Sequence, residues 1–193
     1  MARPIQYDPE EVLRQAMYIF WEKGYEQTSI QDIVAVTGLK PGSIYNLYGN
    51  KEGLFESVLA LYSEEALNVA KSILIANDES LKNIEIFLHK VVIASIADEK
   101  THGCLMVKTL LTSSHKDEKI QKSITKVFEE VETLLCRVLH EAKKEGKTKV
   151  NPVLFARLII ITLYGAHVYY KTSKDTVALQ KSVDVLLATL GDT

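Results

Sequence analysis

Apolar positions recur every three or four residues along almost the whole chain. Leu13, Ala16, Met17 and Phe20 fall at i, i+3, i+4 and i+7, which draws one face of a helix. Asp8 can cap that helix, Pro9 suits its first position, Glu11 stands where a capping box places a carboxylate, and Gly24 closes it. Thr28 then reads as the N-cap of a second helix, with Gln31 completing a capping box and Ile30, Ile33 and Val34 as the buried face. Gly38 permits a sharp turn. A third helix starts around Pro41 and lasts to about Tyr48, before Gly49. Asn50 caps a long fourth one carrying Leu54, Phe55, Val58, Leu59 and Tyr62.

Beyond residue 76 the same periodicity continues. Leu81, Ile84, Leu88, Val91, Val92 and Ser95 mark one helix, and a short one covers Cys104 to Leu111. A long one spans roughly Asp117 to Glu145 and stops at Gly146. Asn151-Pro152 caps the next, and Leu179, Val183, Leu186, Leu187 and Leu190 stripe the last. No segment alternates with period two between turn pairs, so no strand is expected. The pattern predicts an all-α chain of about nine helices. Five of the nine glycines lie between Gly24 and Gly53, so the early helices are short and the later ones long.

Composition changes this picture little. The 193 residues are 47% hydrophobic and 25% charged with a net charge of −2, the balance of a globular protein with an ample core. No apolar secretory segment is visible near Met1, and two cysteines, Cys104 and Cys136, suit a reducing cytoplasm. The longest uncharged stretch, Leu158 to Tyr170, has thirteen residues, which fits a buried core helix better than a membrane span. Phosphate-binding glycine loops, His-Glu-x-x-His and a glycine-flanked nucleophilic serine are all missing from the sequence, so neither an enzyme nor a cofactor or metal site is expected.

Thr28 to Leu47 has the dimensions of a helix-turn-helix, whose second helix enters the major groove of DNA. Phe20, Gly24-Tyr25, Thr28-Ser29, Ile33, Gly38-Leu39, Gly42, Tyr45, Tyr48, Lys51-Glu52 and Leu54 stand at fixed spacings over about forty residues. In these positions the chain resembles the TetR family of transcriptional repressors, and beyond residue 55 it resembles that family in length and helical pattern. The resemblance implies a reading unit at 1–52 and a ligand-sensing and dimerisation domain at 53–193. It also implies a DNA-contacting set of Thr28, Lys40, Pro41, Gly42, Ser43, Tyr45, Asn46, Tyr48 and Lys51. In that set Tyr45 faces the DNA backbone, Tyr48 packs between the third and fourth helices, and Lys51 contacts phosphate. Lys40, Ser43 and Asn46 are the base-reading candidates, Asn46 being able to pair bidentately with adenine. Gly42 lets the helix approach DNA closely, and Arg3 on an N-terminal arm can reach the minor groove or a phosphate. Two features depart from the usual pattern. Lys40 stands where the family places a small polar cap, and residues 1–52 carry five Lys/Arg against seven Asp/Glu.

A helix-turn-helix reads a half-site, so a two-fold interface is expected. Leu158 to Ala166 is apolar all round, and the resemblance places a homodimer on the last two helices as a four-helix bundle. The middle helices would then enclose a small-molecule inducer among Phe87, Val91, Cys104, Met106, Leu110, Phe128, Val131 and Leu135, with His89, His102, His167 or Tyr164 as polar anchors. The segment His102-Gly103-Cys104-Leu105 also resembles the Gly-Cys-Leu segment of one TetR subgroup, some of whose members sense electrophiles or oxidants. A thiol at a helix N-terminus near a histidine can be a reactive thiolate, whereas one among Leu and Met is commonly inert. The expected function is a repressor on palindromic double-stranded operator DNA, released when an inducer makes the fourth helix swing. The alternatives are a thiol-sensing repressor using Cys104 and a helical protein-binding adaptor that keeps the helix-turn-helix as scaffold.

Overall fold

The computed structural model describes residues 7–94, 103–112 and 118–191. Among these residues there are nine α-helices and no strand, as the periodicity predicts. They are α1 (Pro9–Lys23), α2 (Ile30–Thr37), α3 (Pro41–Tyr48), α4 (Lys51–Leu74), α5 (Ser80–Leu88), α6 (Leu105–Thr112), α7 (Glu118–Lys144), α8 (Pro152–Ser173) and α9 (Thr176–Gly191). The chain leaves α5 through π-helical turns over His89–Ala94. The expected contributions of Arg3, Ser95, His102 and Asp117 lie outside the described residues.

Most helix starts follow the expected chemistry. The Asp8 carboxylate accepts from the Glu10 N–H at 2.9 Å, the Asn50 amide oxygen from the Gly53 N–H at 2.8 Å, and that of Asn151 from Val153 and Leu154 at 3.1 Å each. The start of α2 is one residue later than predicted. Ser29, not Thr28, is the N-cap, and Asp32, not Gln31, closes the capping box. The reason is that the buried Thr28 hydroxyl donates to the Gly24 carbonyl at 2.7 Å, which holds Thr28 in the turn that closes α1. Glu11 makes no capping box either, since its carboxylate accepts from Gln15 along the helix surface. Gly38 ends α2 in the left-handed conformation, φ 67°, as its sharp turn requires.

The core falls into two clusters. The N-terminal one joins Val12, Ala16, Met17, Ile19 and Phe20 of α1 to Ile33, Leu39, Ile44 and the first two turns of α4, and reaches Leu105, Met106 and Ile124. Leu13, expected on the buried face of α1, is only partly buried. The second cluster joins the C-terminal half of α4 to α5, α7, α8 and α9. Residue 52 lies in the first turn of α4, so that single continuous helix serves both clusters.

In α8, Ile159, Ile160, Leu163 and Ala166 are buried, whereas Leu154 and Ile161 are 63% and 57% exposed. On α9, Val177 and Val185 are 63% and 66% exposed. Once Arg157 and Lys171 are admitted, α8 is long and apolar enough to cross a membrane by length and composition. The inner side of the helix is committed to packing against α7.

Candidate nucleic-acid interface and cavity

The α2–α3 unit is anchored from one side and open on the other. Ile33 and Ile44, both fully buried, pin the two helices to α1 and α4, and Tyr48 is half-buried in the same cluster. Lys40, Pro41, Gly42, Tyr45, Asn46 and Leu47 are exposed, and Ser43 is half-exposed. A Cβ built on Gly42 would meet nothing within 4 Å, so this turn of α3 presents bare backbone to solvent. Lys40 is the N-cap of α3 and makes no side-chain capping bond. Pro41 has no N–H and Ser43 donates to the Lys40 carbonyl, so the Gly42 N–H and the positive end of the helix dipole are what this end offers to a phosphate oxygen.

Two residues of the expected contacting set sit differently. Thr28 is buried, and its hydroxyl and carbonyl are used inside the protein. The Lys51 ammonium donates to the carbonyls of Tyr25 and Thr28 at 3.0 Å each and lies 4.4 Å from the centre of the Tyr25 ring. Two of its three N–H donors thus strap the start of α4 to the α1–α2 turn, leaving one for an outside acceptor. The acidic excess of the unit is partly absorbed locally, by Lys23 on Asp32 at 2.6 Å and by Arg14 between Glu10 and Glu65.

Below the reading unit a cavity of about 150 Å³ opens between α1, α4, α5, α6, α7 and α8. Of the residues expected there, Phe87, Val91, Cys104, Met106, Phe128, Val131, Tyr164 and His167 line it. Leu110 does not: it sits on the outer side of α6, 40% exposed. Leu135 is fully buried but belongs to the solid second cluster, one turn of α7 beyond the cavity wall. His89 is absent from the wall, and its ring lies 3.3 Å from the Gln180 amide nitrogen. Sequence reading missed Trp21, Tyr62, Ala66, Ala70, Gly103, Val107, Val127 and Leu163 as lining residues. Trp21 had a signal, since it continues the α1 stripe four residues after Met17.

Trp21 is the residue through which the reading unit touches the cavity. Its indole N–H donates to the Gly103 carbonyl at 2.7 Å, and its ring meets Tyr62 edge-on at 5.1 Å. The Lys108 ammonium on α6 caps the end of α1 by donating to the carbonyls of Trp21 and Glu22. Burial pulls the Lys108 ammonium below its ordinary value.

Cys104 is a free cysteine at the start of α6. It is half-buried in the cavity wall, and burial pushes its thiol up despite the N–H groups of Val107 and Met106 and the Tyr62 hydroxyl that face it. Desolvation outweighs the helix N-terminus. Burial also pulls His167 below its ordinary value. The His167 ring lies against the Leu163 carbonyl, 2.7 Å from Nδ1. Gly103 at φ 83° brings the chain so close that a Cβ there would sit 3.2 Å from His167 Cδ2.

Residues 12–58 match the model of the bacterial regulatory proteins of the tetR family, and residues 87–186 match the tetracyclin repressor-like C-terminal domain. The transcriptional repressor ComR of Escherichia coli (strain K12) is 27% identical over 146 residues, 75% of this chain and 70% of that protein. The transcriptional regulator YezE of Bacillus subtilis (strain 168) is 26% identical over 193 residues, 98% of this chain and 100% of that one. Among solved structures, a cysteine mutant of the TetR family regulator CifR, complexed with 26-base-pair operator DNA, superposes with a TM-score of 0.84. It is 25% identical and covers 96% of this chain and 98% of its own. The reduced form of E. coli NemR shares the fold at a TM-score of 0.86 and 16% identity, covering 95% and 97%.

Proposed function

The chain belongs to the TetR family of bacterial regulatory proteins, and on that premise we propose that it represses transcription as a homodimer, leaving a palindromic operator when a small molecule enters the α4–α8 cavity. It is a DNA-binding transcriptional regulator; the repression, the dimer and the inducer are the proposal. The observation that carries the DNA-reading part is the outward face of α3, where Lys40, Gly42, Tyr45 and Asn46 stand open while Ile44 locks the helix from behind. CifR, of similar fold, is complexed with operator DNA. Residues 1–52 form the reading unit and 53–193 the sensing and dimerising one, with α4 as the shared lever.

The outer faces of α8 and α9 support the dimer. Leu154, Ile161, Val177 and Val185 are an apolar surface that a lone subunit leaves in water, and two copies would bring the paired half-sites about 34 Å apart, or a multiple of that. The cavity supports the sensing. Its wall takes Trp21 from α1 and Tyr62, Ala66 and Ala70 from α4, so an occupant acts on the two helices that carry α2–α3. An occupant that favours a displaced α4 changes the spacing of the two α3 helices and weakens DNA binding. By linkage DNA weakens the occupant's binding by the same factor.

Footprinting on DNA flanking the gene tests the reading. The expected result is protection of a palindrome that weakens on Tyr45→Ala or Asn46→Ala, and no protected palindrome at low salt would favour the adaptor instead. An occupant that saturates the cavity and leaves operator affinity unchanged would reject the release mechanism.

A further inference from the structure

Among the described residues, the polar groups that Trp21 and Tyr62 bring to the cavity wall are hydrogen-bonded within the protein, whereas a buried ring nitrogen of His167 is not. The indole N–H of Trp21 is spent on Gly103. The Tyr62 hydroxyl is hydrogen-bonded to the Cys104 thiol and the Leu105 backbone. His167 is different. A carbonyl can only accept, so the contact with Leu163 puts the proton on Nδ1 and leaves Nε2 as a bare lone pair. That Nε2 is fully buried and has no hydrogen-bond partner among the described residues. An unpaired acceptor in an apolar enclosure is costly, and native proteins pair such groups or use them.

The rest of the wall narrows the occupant. Among the described residues no Asp, Glu, Lys or Arg lines the cavity, so none of them gives an ionised ligand a counter-charge there. The volume, about 150 Å³, is that of an apolar protein cavity that holds one benzene ring. Aromatic rings form much of the enclosure, including Phe128 and Tyr164, which meet edge-on at 4.5 Å. From these observations we infer that the cavity binds a neutral, single-ring aromatic molecule carrying one hydroxyl, of the size of phenol, whose O–H donates to His167 Nε2. This assignment rests on the reading of the cavity as the inducer site and adds the ligand class. It also gives the signal an entry point, because His167 is wedged against Gly103, and Gly103 holds Trp21 of α1.

Phenol and toluene separate the hydrogen bond from the shape, since they differ by a hydroxyl in place of a methyl. In calorimetric titrations of the full-length protein, His167→Leu should weaken phenol binding about tenfold and leave toluene within about twofold. In the unmutated protein, phenol but not toluene should shift the ¹⁵N resonance of His167 Nε2, a readout that needs no variant. Equal losses for both probes in His167→Leu, or an Nε2 resonance indifferent to phenol, would overturn the hydroxyl assignment while leaving the cavity a ligand site. Binding of neither probe would overturn the ligand class outright. Operator retention measured in parallel keeps the two readings apart, because phenol that binds through Nε2 yet leaves the operator occupied sinks the inducer reading alone.

Discussion

The centre of the N-terminal cluster and the place where the two clusters meet differ in how completely they are filled. In the N-terminal one, Phe20, Tyr25 and Phe55 interlock with ring centres 4.8 Å apart for Phe20–Phe55 and Tyr25–Phe55, around side chains that are almost wholly buried. Between α1 and α4 to α8 a void of about 150 Å³ remains, with an imidazole nitrogen in its wall that has no partner among the described residues. A filled core has no low-cost alternative packing, which keeps the reading face in one geometry. A void forfeits dispersion contacts and leaves its walls poised to rearrange around an occupant. The contrast sets a filled core behind α2–α3 against an unfilled space below it within one chain, joined by α4.

Four experiments break or sharpen that contrast. The largest expected effect is in the filled cluster, where Phe20→Ala removes a fully buried ring and should cost about 3–5 kcal/mol in urea denaturation, with operator binding lost alongside. Next is the outer face of α8 and α9. Ile161→Lys should leave helix content unchanged by circular dichroism, give monomers in sedimentation, and lower operator affinity by roughly a hundredfold, about 2.7 kcal/mol. A dimer that survives this change places the interface elsewhere.

Enlarging an alanine in each region is the direct comparison. Ala16→Leu in the filled cluster should destabilise by about 1–3 kcal/mol. Ala66→Leu, which projects into the cavity, should stabilise by about 1 kcal/mol and abolish phenol binding. Thermal unfolding of the pair reads the sign, and equal losses would mean that the void is not there in solution.

The smallest effect concerns Asp32. The Lys23 ammonium and then the Ser29 N–H and hydroxyl hold its carboxyl well below the usual carboxylate range. A value depressed in the folded state gives a contribution that is complete above the unfolded value, near 4, and is lost as the pH falls below it. Asp32→Asn should therefore flatten the acid side of the stability profile below about pH 4 and change little above pH 6 in amount per pH unit. An unchanged acid slope would show that the Lys23–Asp32 pair does not hold in solution.

Much of the reading unit was legible in the residues because its geometry is local. Asp8-Pro9, Asn50 and Gly38 act within one turn of their own position, and each does what its chemistry predicts. The misplaced N-cap of α2 marks the limit of that logic. Thr28 and Ser29 are equivalent as caps, and only the Gly24 carbonyl, set by the end of α1, draws Thr28 away. Lys51 is similar: its charge is in the sequence, but its two carbonyl partners belong to a turn more than twenty residues earlier.

What the sequence by itself determined was the helical periodicity, the turn chemistry of residues 8–54 and an apolar excess on α8 larger than one subunit can bury. The tertiary structure alone decided which apolar residues border a void and which pack solidly, placing Leu135 in the core, Leu110 on the surface and Trp21 in the cavity wall. It alone left His167 Nε2 without a partner among the described residues. Periodicity reports which face of a helix turns inward, whereas a cavity is the volume that several inward faces fail to fill, and that shortfall belongs to no single helix.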